Sequence, residues 1–121
     1  MGDQEITFII ECEVKADLAS EFDALVPLLE SVANDDPGTV EYRWYRGPTP
    51  TSMCLYERYR DSEATLAHIE AFGHEPTKRY LDLIELTSVI MIGPASEQLT
   101  AQLAPFFEGS VPGVTAVWYR T

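Results

Sequence analysis

Cations, cysteines and long apolar runs are all scarce in this 121-residue chain, and each scarcity excludes something. Eight Lys and Arg stand against twenty Asp and Glu, a formal net charge of −12, which repels phosphate backbones and anionic bilayers. Neither nucleic acid nor a membrane surface is an expected partner. No run of about 18 apolar residues exists to span a bilayer, and the opening MGDQE is neither basic nor followed by the apolar block of a secretory leader. The expected compartment is therefore the cytoplasm. The two cysteines, Cys12 and Cys54, sit in strand-like runs outside any CxxC pair or Cys/His cluster of zinc spacing. They read as reduced core thiols, and no metal, phosphate-loop or nucleotide-binding signature accompanies them.

What the chain does have is apolar and aromatic surface: 45% hydrophobic residues, with two Trp, six Tyr and five Phe. That is enough for one domain over residues 1–121 with a real core. EITFIIECEVK alternates Ile6, Phe8, Ile10, Cys12 and Val14 against Thr7, Ile9, Glu11 and Glu13, the period of a strand. Leu18, Phe22, Leu25, Leu29 and Val32 then recur at helical steps from about Asp17 to Ala33. Pro27 interrupts this helix but lies roughly 200° around the axis from Leu25, on the solvent side. TVEYRWYR and SMCLYERYR form a hairpin across GPTPT. Asp61 or Ser62 caps a second helix reaching Phe72, and Pro76 starts a third reaching about Leu86. TSVIMIG is a fourth strand, and after Ser96 a short helix with Leu99, Leu103, Phe106 and Phe107 leads to a fifth. The expected order is β-α-β-β-α-α-β-α-β. An echo runs through it. LVPLLE precedes PGTVEYRWYR, as LAPFFE precedes PGVTAVWYR, so the two endings read either as convergence on common helix-end and strand residues or as an internal half-repeat building two edges of one barrel.

The passage LYERYRDSEATLAHIEAF, with Tyr56, Glu57, Tyr59, Asp61, Glu63, Ala64 and His68, resembles the antibiotic biosynthesis monooxygenase family. EVKAD before the first helix and DPGTVEYRWYR after it extend the likeness over about residues 5–92, leaving residues 94–121 as an extension. The resemblance implies an α+β fold, a ferredoxin-like βαββαβ antiparallel sheet that pairs with a second copy into a dimeric α/β barrel, with a small-molecule cleft between sheet and helices. Apolar residues on both faces of the first strand agree, since a two-fold partner would cover the face left bare by the helices. The implied activity is a cofactor-independent monooxygenase acting on a small aromatic or polyketide-like compound. A non-catalytic small-molecule-binding or accessory protein, and an isomerase or decarboxylase on the same scaffold, remain alternatives.

Such chemistry needs an apolar slot, a group to take a phenolic proton and donors for the oxyanion. His68, Glu57 and Tyr59 are the expected catalytic residues. His68 lies one helical turn from Ala64 and Phe72 and is placed toward the cleft by the resemblance. Glu57 shares a strand with Tyr59, and is either a buried acid or the partner of an arginine such as Arg43 or Arg58. Trp44, His74, Tyr80 and Ile9 are the expected substrate-binding residues, each with a plain packing or surface role beside the functional one. Trp44 shares its strand face with Tyr42 and Val40. Ile9 enters through the resemblance: haem-degrading relatives carry an Asn in strand one, a Trp in helix two and an axial His in the next helix. The matching positions here are Ile9, His68 and Lys78, so haem cleavage is not expected. Quinone-forming members use a Trp and an Asn near the end of strand three, where this chain has Glu57, Arg58, Tyr59 and Arg60.

Overall fold

A computed structural model describes residues 4–107 and 114–118, with side chains through residue 104. Its strands are β1 (Ile6–Val14), β2 (Thr39–Arg46), β3 (Ser52–Tyr59), β4 (Ile84–Ile92) and β5 (Val114–Trp118). Its helices are α1 (Ala19–Asn34), α2 (Ser62–Phe72), α3 (Tyr80–Leu83) and α4 (Glu97–Phe107). The element order is the expected one. The sheet runs β2-β3-β1-β4-β5, antiparallel except for the last pair, where β5 lies parallel to β4. The first four strands and the helices give the ferredoxin-like α+β fold. The sheet stays open, and the two echoed segments form its opposite margins.

Alternation decides which face of the sheet is covered. Ile6, Phe8, Cys12 and Val14 of β1, Tyr42 and Trp44 of β2, and Met53, Leu55, Glu57 and Tyr59 of β3 are all buried beneath the helices. α1 contributes Phe22, Leu29 and Ala33 at steps of seven and four, each large side chain worth about 1.5–3 kcal/mol on burial. Pro27 falls on the exposed side of that helix, where its missing N–H leaves a carbonyl to solvent. α1 also seals the margin of β2. The Trp44 amide donates to Glu30 Oε2 at 2.9 Å, the Asn34 side chain donates to the Tyr42 carbonyl at 3.0 Å, and Arg46 pairs with Asp23 at 3.0 Å.

Two glycines are required by approach. A Cβ on Gly38 would sit 2.6 Å from that of Ala64, so α2 can only close on the start of β2 if residue 38 has no side chain. Gly93 turns the chain out of β4 at φ 131°, with the carbonyl oxygen of Glu5 only 2.2 Å from any Cβ added there.

Several expectations are corrected here. The third helix does not reach Leu86: a short 3-10 turn (Thr77–Arg79) and the four residues of α3 are all the helix there is, and β4 begins at Ile84. That strand then carries a bulge. Cys12 opposes Leu86 and Glu11 opposes Ser88, so Thr87 is an extra residue that turns the strand's step of two into a step of three. A second irregularity between Thr39 and Glu41 swings Val40 out to 44% exposure, off the Tyr42–Trp44 face. Cys12 is buried, its thiol pushed up to about 12 by burial and then by the neighbouring Cys54 and Glu13, but Cys54 is half-buried on the opposite face and is no core residue. Among the described residues no helix is long and apolar enough to cross a membrane. Val114, Ala116 and Trp118 alternate with Val117 and Tyr119, an apolar pattern that implies at least partial burial of Trp118, whose side chain lies outside the described ones.

Candidate active site

Between the sheet and the second, third and fourth helices lies a pocket of about 220 Å³. Its walls are apolar: Phe8, Leu55, Ile69, Phe72, Leu86 and Leu103 among others. A few polar groups interrupt them, as in small-molecule sites generally.

Glu57 is the central one. It points inward from β3 because strand alternation puts it on the face of Leu55 and Tyr59, and it is only 5% exposed. Its carboxylate oxygen Oε1 accepts from the hydroxyl of Tyr59 and lies 3.2 Å from Nε2 of His68. Among the described residues no donor meets Oε2. No arginine reaches it either; Arg58 pairs instead with Glu5 at 3.6 Å on the other side of the sheet. The ion-pair reading of Glu57 with Arg43 or Arg58 therefore gives way to a His–Glu–Tyr triad.

His68 is placed by α2. Asp61 caps the helix, its Oδ1 accepting from the Ala64 amide at 2.8 Å, and Ala64, Thr65, His68 and Phe72 form the buried stripe. The imidazole lies in an aromatic shell, with centroids 4.2 Å from Phe72, 4.8 Å from Tyr59 and 5.6 Å from Tyr42. With Nε2–H assigned as donor to Glu57, Nδ1 is left as a buried atom without a hydrogen-bond partner. His68 therefore contacts the carboxylate through Nε2 while its ring also lines the pocket.

Three tyrosines surround this acid. Burial raises the hydroxyl pKa of Tyr59 far above its usual range, and the charge of Glu57 and their hydrogen bond add to it. Tyr42 is raised by burial and then by Glu57, against the indole N–H of Trp44, which donates to its hydroxyl at 3.2 Å. Tyr80 is raised by the same two causes. All three remain protonated donors at neutral pH.

Of the residues singled out in the sequence, Glu57, His68, Trp44 and Tyr80 line the pocket, and Tyr59 lies behind Glu57 as its donor. Two do not join them. Ile9 alternates away from Phe8 and Ile10 and lies on the bare face of the sheet. His74 stands beyond the end of α2 with its side chain 71% exposed, 3.4 Å from Glu70. The sequence reading missed Thr65, Lys78, Gln102 and Leu103, which also line the pocket. The Leu99–Leu103 spacing carried a signal for the last, and the resemblance marked Lys78 only as the place of an axial His in haem-degrading relatives; a solitary glutamine carries none. Among the described residues no group of three or more His, Cys, Asp or Glu is arranged to hold a metal ion.

Solved structures share this architecture. MupZ from Pseudomonas fluorescens superposes with a TM-score of 0.75 at 18% identity, covering 98% of this chain and 90% of that one, so the C-terminal helix and strand belong to the common frame. A variant of SnoaB from Streptomyces nogalater, described as a cofactor-independent oxygenase, gives 0.64 at 18% identity over 77% and 95%. Rv0793 from Mycobacterium tuberculosis gives 0.60 at 20% identity over 78% and 98%. Among curated proteins none is significantly similar in sequence. The family model for antibiotic biosynthesis monooxygenases matches residues 6–75, more than half of the chain, and the protein belongs to that family.

Proposed function

We propose that the protein is a cofactor-independent monooxygenase of a small hydroxylated aromatic or polyketide-like compound, with Glu57 as the proton-accepting group. One observation carries the reading: a carboxylate at the floor of an apolar pocket, one oxygen held by Tyr59 and His68 and the other left for a ligand. A buried base fixed on one side presents its second oxygen with little reorganisation. The shared fold of SnoaB, a cofactor-independent oxygenase, supports the same reaction class.

For an anthrone the steps balance as follows. Glu57 takes a proton from the ring system, leaving an electron-rich carbanion–phenolate that passes one electron to dioxygen. Substrate radical and superoxide combine at the ring carbon, and the peroxide anion recovers the proton from Glu57. The carboxylate then removes the second proton of that carbon as the O–O bond breaks, and the departing hydroxide leaves as water, giving the quinone. His68 and Tyr59 act as positioning residues through Glu57, while the apolar walls exclude competing water.

A homodimer is part of the same proposal. The bare sheet face carries a row of Tyr56, Ile9 and Ile90 in direct cross-strand register, with exposed Ile92 and Tyr45 nearby. A second copy would cover it with one self-complementary surface.

The test is oxygen uptake with 1,8-dihydroxyanthrone and a set of hydroquinones. Stoichiometric uptake and quinone product support the reading. A compound that raises the melting temperature but is recovered unchanged would instead assign a binding or accessory role, and product without oxygen consumption an isomerase or decarboxylase.

A further inference from the structure

The pocket has a second polar feature, at its open end. Lys78 lines it from the 3-10 turn Thr77–Arg79, is itself exposed, and follows Thr77, whose buried hydroxyl donates to the His74 carbonyl at 2.8 Å and fixes the turn. In a chain with twenty acids and eight bases, an unengaged cation is unusual. Lys15 donates to the Asp82 carbonyl, and Arg46, Arg58, Arg60 and Arg79 each pair with a carboxylate. Adjacent Arg79 is taken up by Glu21 at 2.7 Å and Asp82 at 3.4 Å. Among the described residues Lys78 meets neither a carboxylate nor a carbonyl with its ammonium, and Arg43, the other such cation, belongs to the opposite face of the sheet.

An exposed lysine without such a partner, lining an apolar cavity that also holds a buried acid, suits a ligand with two different polar ends. We infer that the pocket binds an aromatic hydroxy acid, its hydroxyl toward Glu57 and its carboxylate on Lys78. The inference rests on the functional reading above for the hydroxyl end; the carboxylate end stands on Lys78 alone. The net charge of −12 sharpens it. The field of the whole chain opposes an anionic ligand, so a preference for the acid over its neutral ester requires a local cation.

The experiment is calorimetric titration of the wild type, Lys78→Gln and Lys78→Arg with 6-hydroxy-2-naphthoic acid and with its methyl ester. The wild type should bind the acid roughly three- to tenfold tighter at low salt, the range between an exposed ion pair and a charge-assisted hydrogen bond, and the preference should shrink as salt is added. Lys78→Gln should abolish or reverse it without changing the affinity for the ester, and Lys78→Arg should restore it. Equal binding of acid and ester by the wild type, a preference that survives Lys78→Gln, or no binding of either compound overturns the inference. Acid preference without oxygen uptake from any hydroxyarene upholds the carboxylate subsite and overturns the oxygenase reading. Oxygen uptake with acid and ester bound alike does the converse.

Discussion

Replacing Glu57 by Gln separates chemistry from stability. The side chain is 5% exposed, and its Oε1 accepts from Tyr59 and His68. A Gln carbonyl in the same place accepts from both, but as a neutral acceptor; two bonds to a charged group, about 1.5–3 kcal/mol each, become ordinary ones of about 1 kcal/mol. The loss, about 1–4 kcal/mol, is opposed by relief of the desolvation of a buried carboxylate, itself several kcal/mol. The two nearly cancel. Urea unfolding should therefore place Glu57→Gln within about 2 kcal/mol of the wild type. An amide cannot take a proton, so kcat for oxygen uptake with 1,8-dihydroxyanthrone should fall by about 10²–10⁴-fold, the usual contribution of a positioned base. Tyr59→Phe removes one donor and leaves the base, and should cost only about fivefold, the worth of a net hydrogen bond of about 1 kcal/mol. Activity of Glu57→Gln within threefold of wild type would refute the assignment, and a stability loss well beyond about 3 kcal/mol would refute the account of the carboxylate's surroundings.

The buried hydroxyls and thiol make the fold alkali-sensitive. Their folded pKa values lie above the unfolded ones, so the stability they contribute is complete below the unfolded pKa and declines as pH rises toward the folded value: from about 9 to about 12 for Cys12, and upward from about 10 for Tyr42, Tyr59 and Tyr80. Three tyrosines ionising only in the unfolded chain give a slope of about 4 kcal/mol per pH unit, and urea midpoints that stay flat between about pH 9 and about pH 11 would contradict it. Ile90→Glu puts a charge in the centre of the bare sheet face and should convert a dimer to a monomer in light scattering; a surviving dimer would place the interface elsewhere. Leu99 is fully buried on α4, and Leu99→Ala should cost about 2–5 kcal/mol. Removing residues from Gly109 onward takes away β5 and bares the margin of β4, so the melting temperature should fall; an unchanged melt would make the second ending dispensable.

Periodicity revealed the elements because most of them obey one rule at a time. β1, β3 and α1 alternate or step cleanly, and their buried faces follow. Where the rule is broken by backbone irregularity, the sequence misleads: Leu86 and Val89 step by three as on a helix, yet the bulge at Thr87 produces that spacing within a strand. Val40 leaves its face for the same kind of reason. Glu57 and His68 stood out singly as polar residues of a strand and a helix, but their pairing did not, since an arginine was the expected partner of Glu57. Which carboxylate oxygen His68 meets depends on how α2 lies over β3, a tertiary quantity. Lys78 and Gln102 come from separate elements that only the folded chain brings to one cavity.

The clamp of α1 on β2 also restrains growth of the sheet at that margin. With the Trp44 amide and the Tyr42 carbonyl already engaged by Glu30 and Asn34, an incoming strand would have to displace both contacts of the helix to pair along that margin. A further strand at that flank therefore competes with α1, so a tag or fused peptide of extended character is disfavoured along β2.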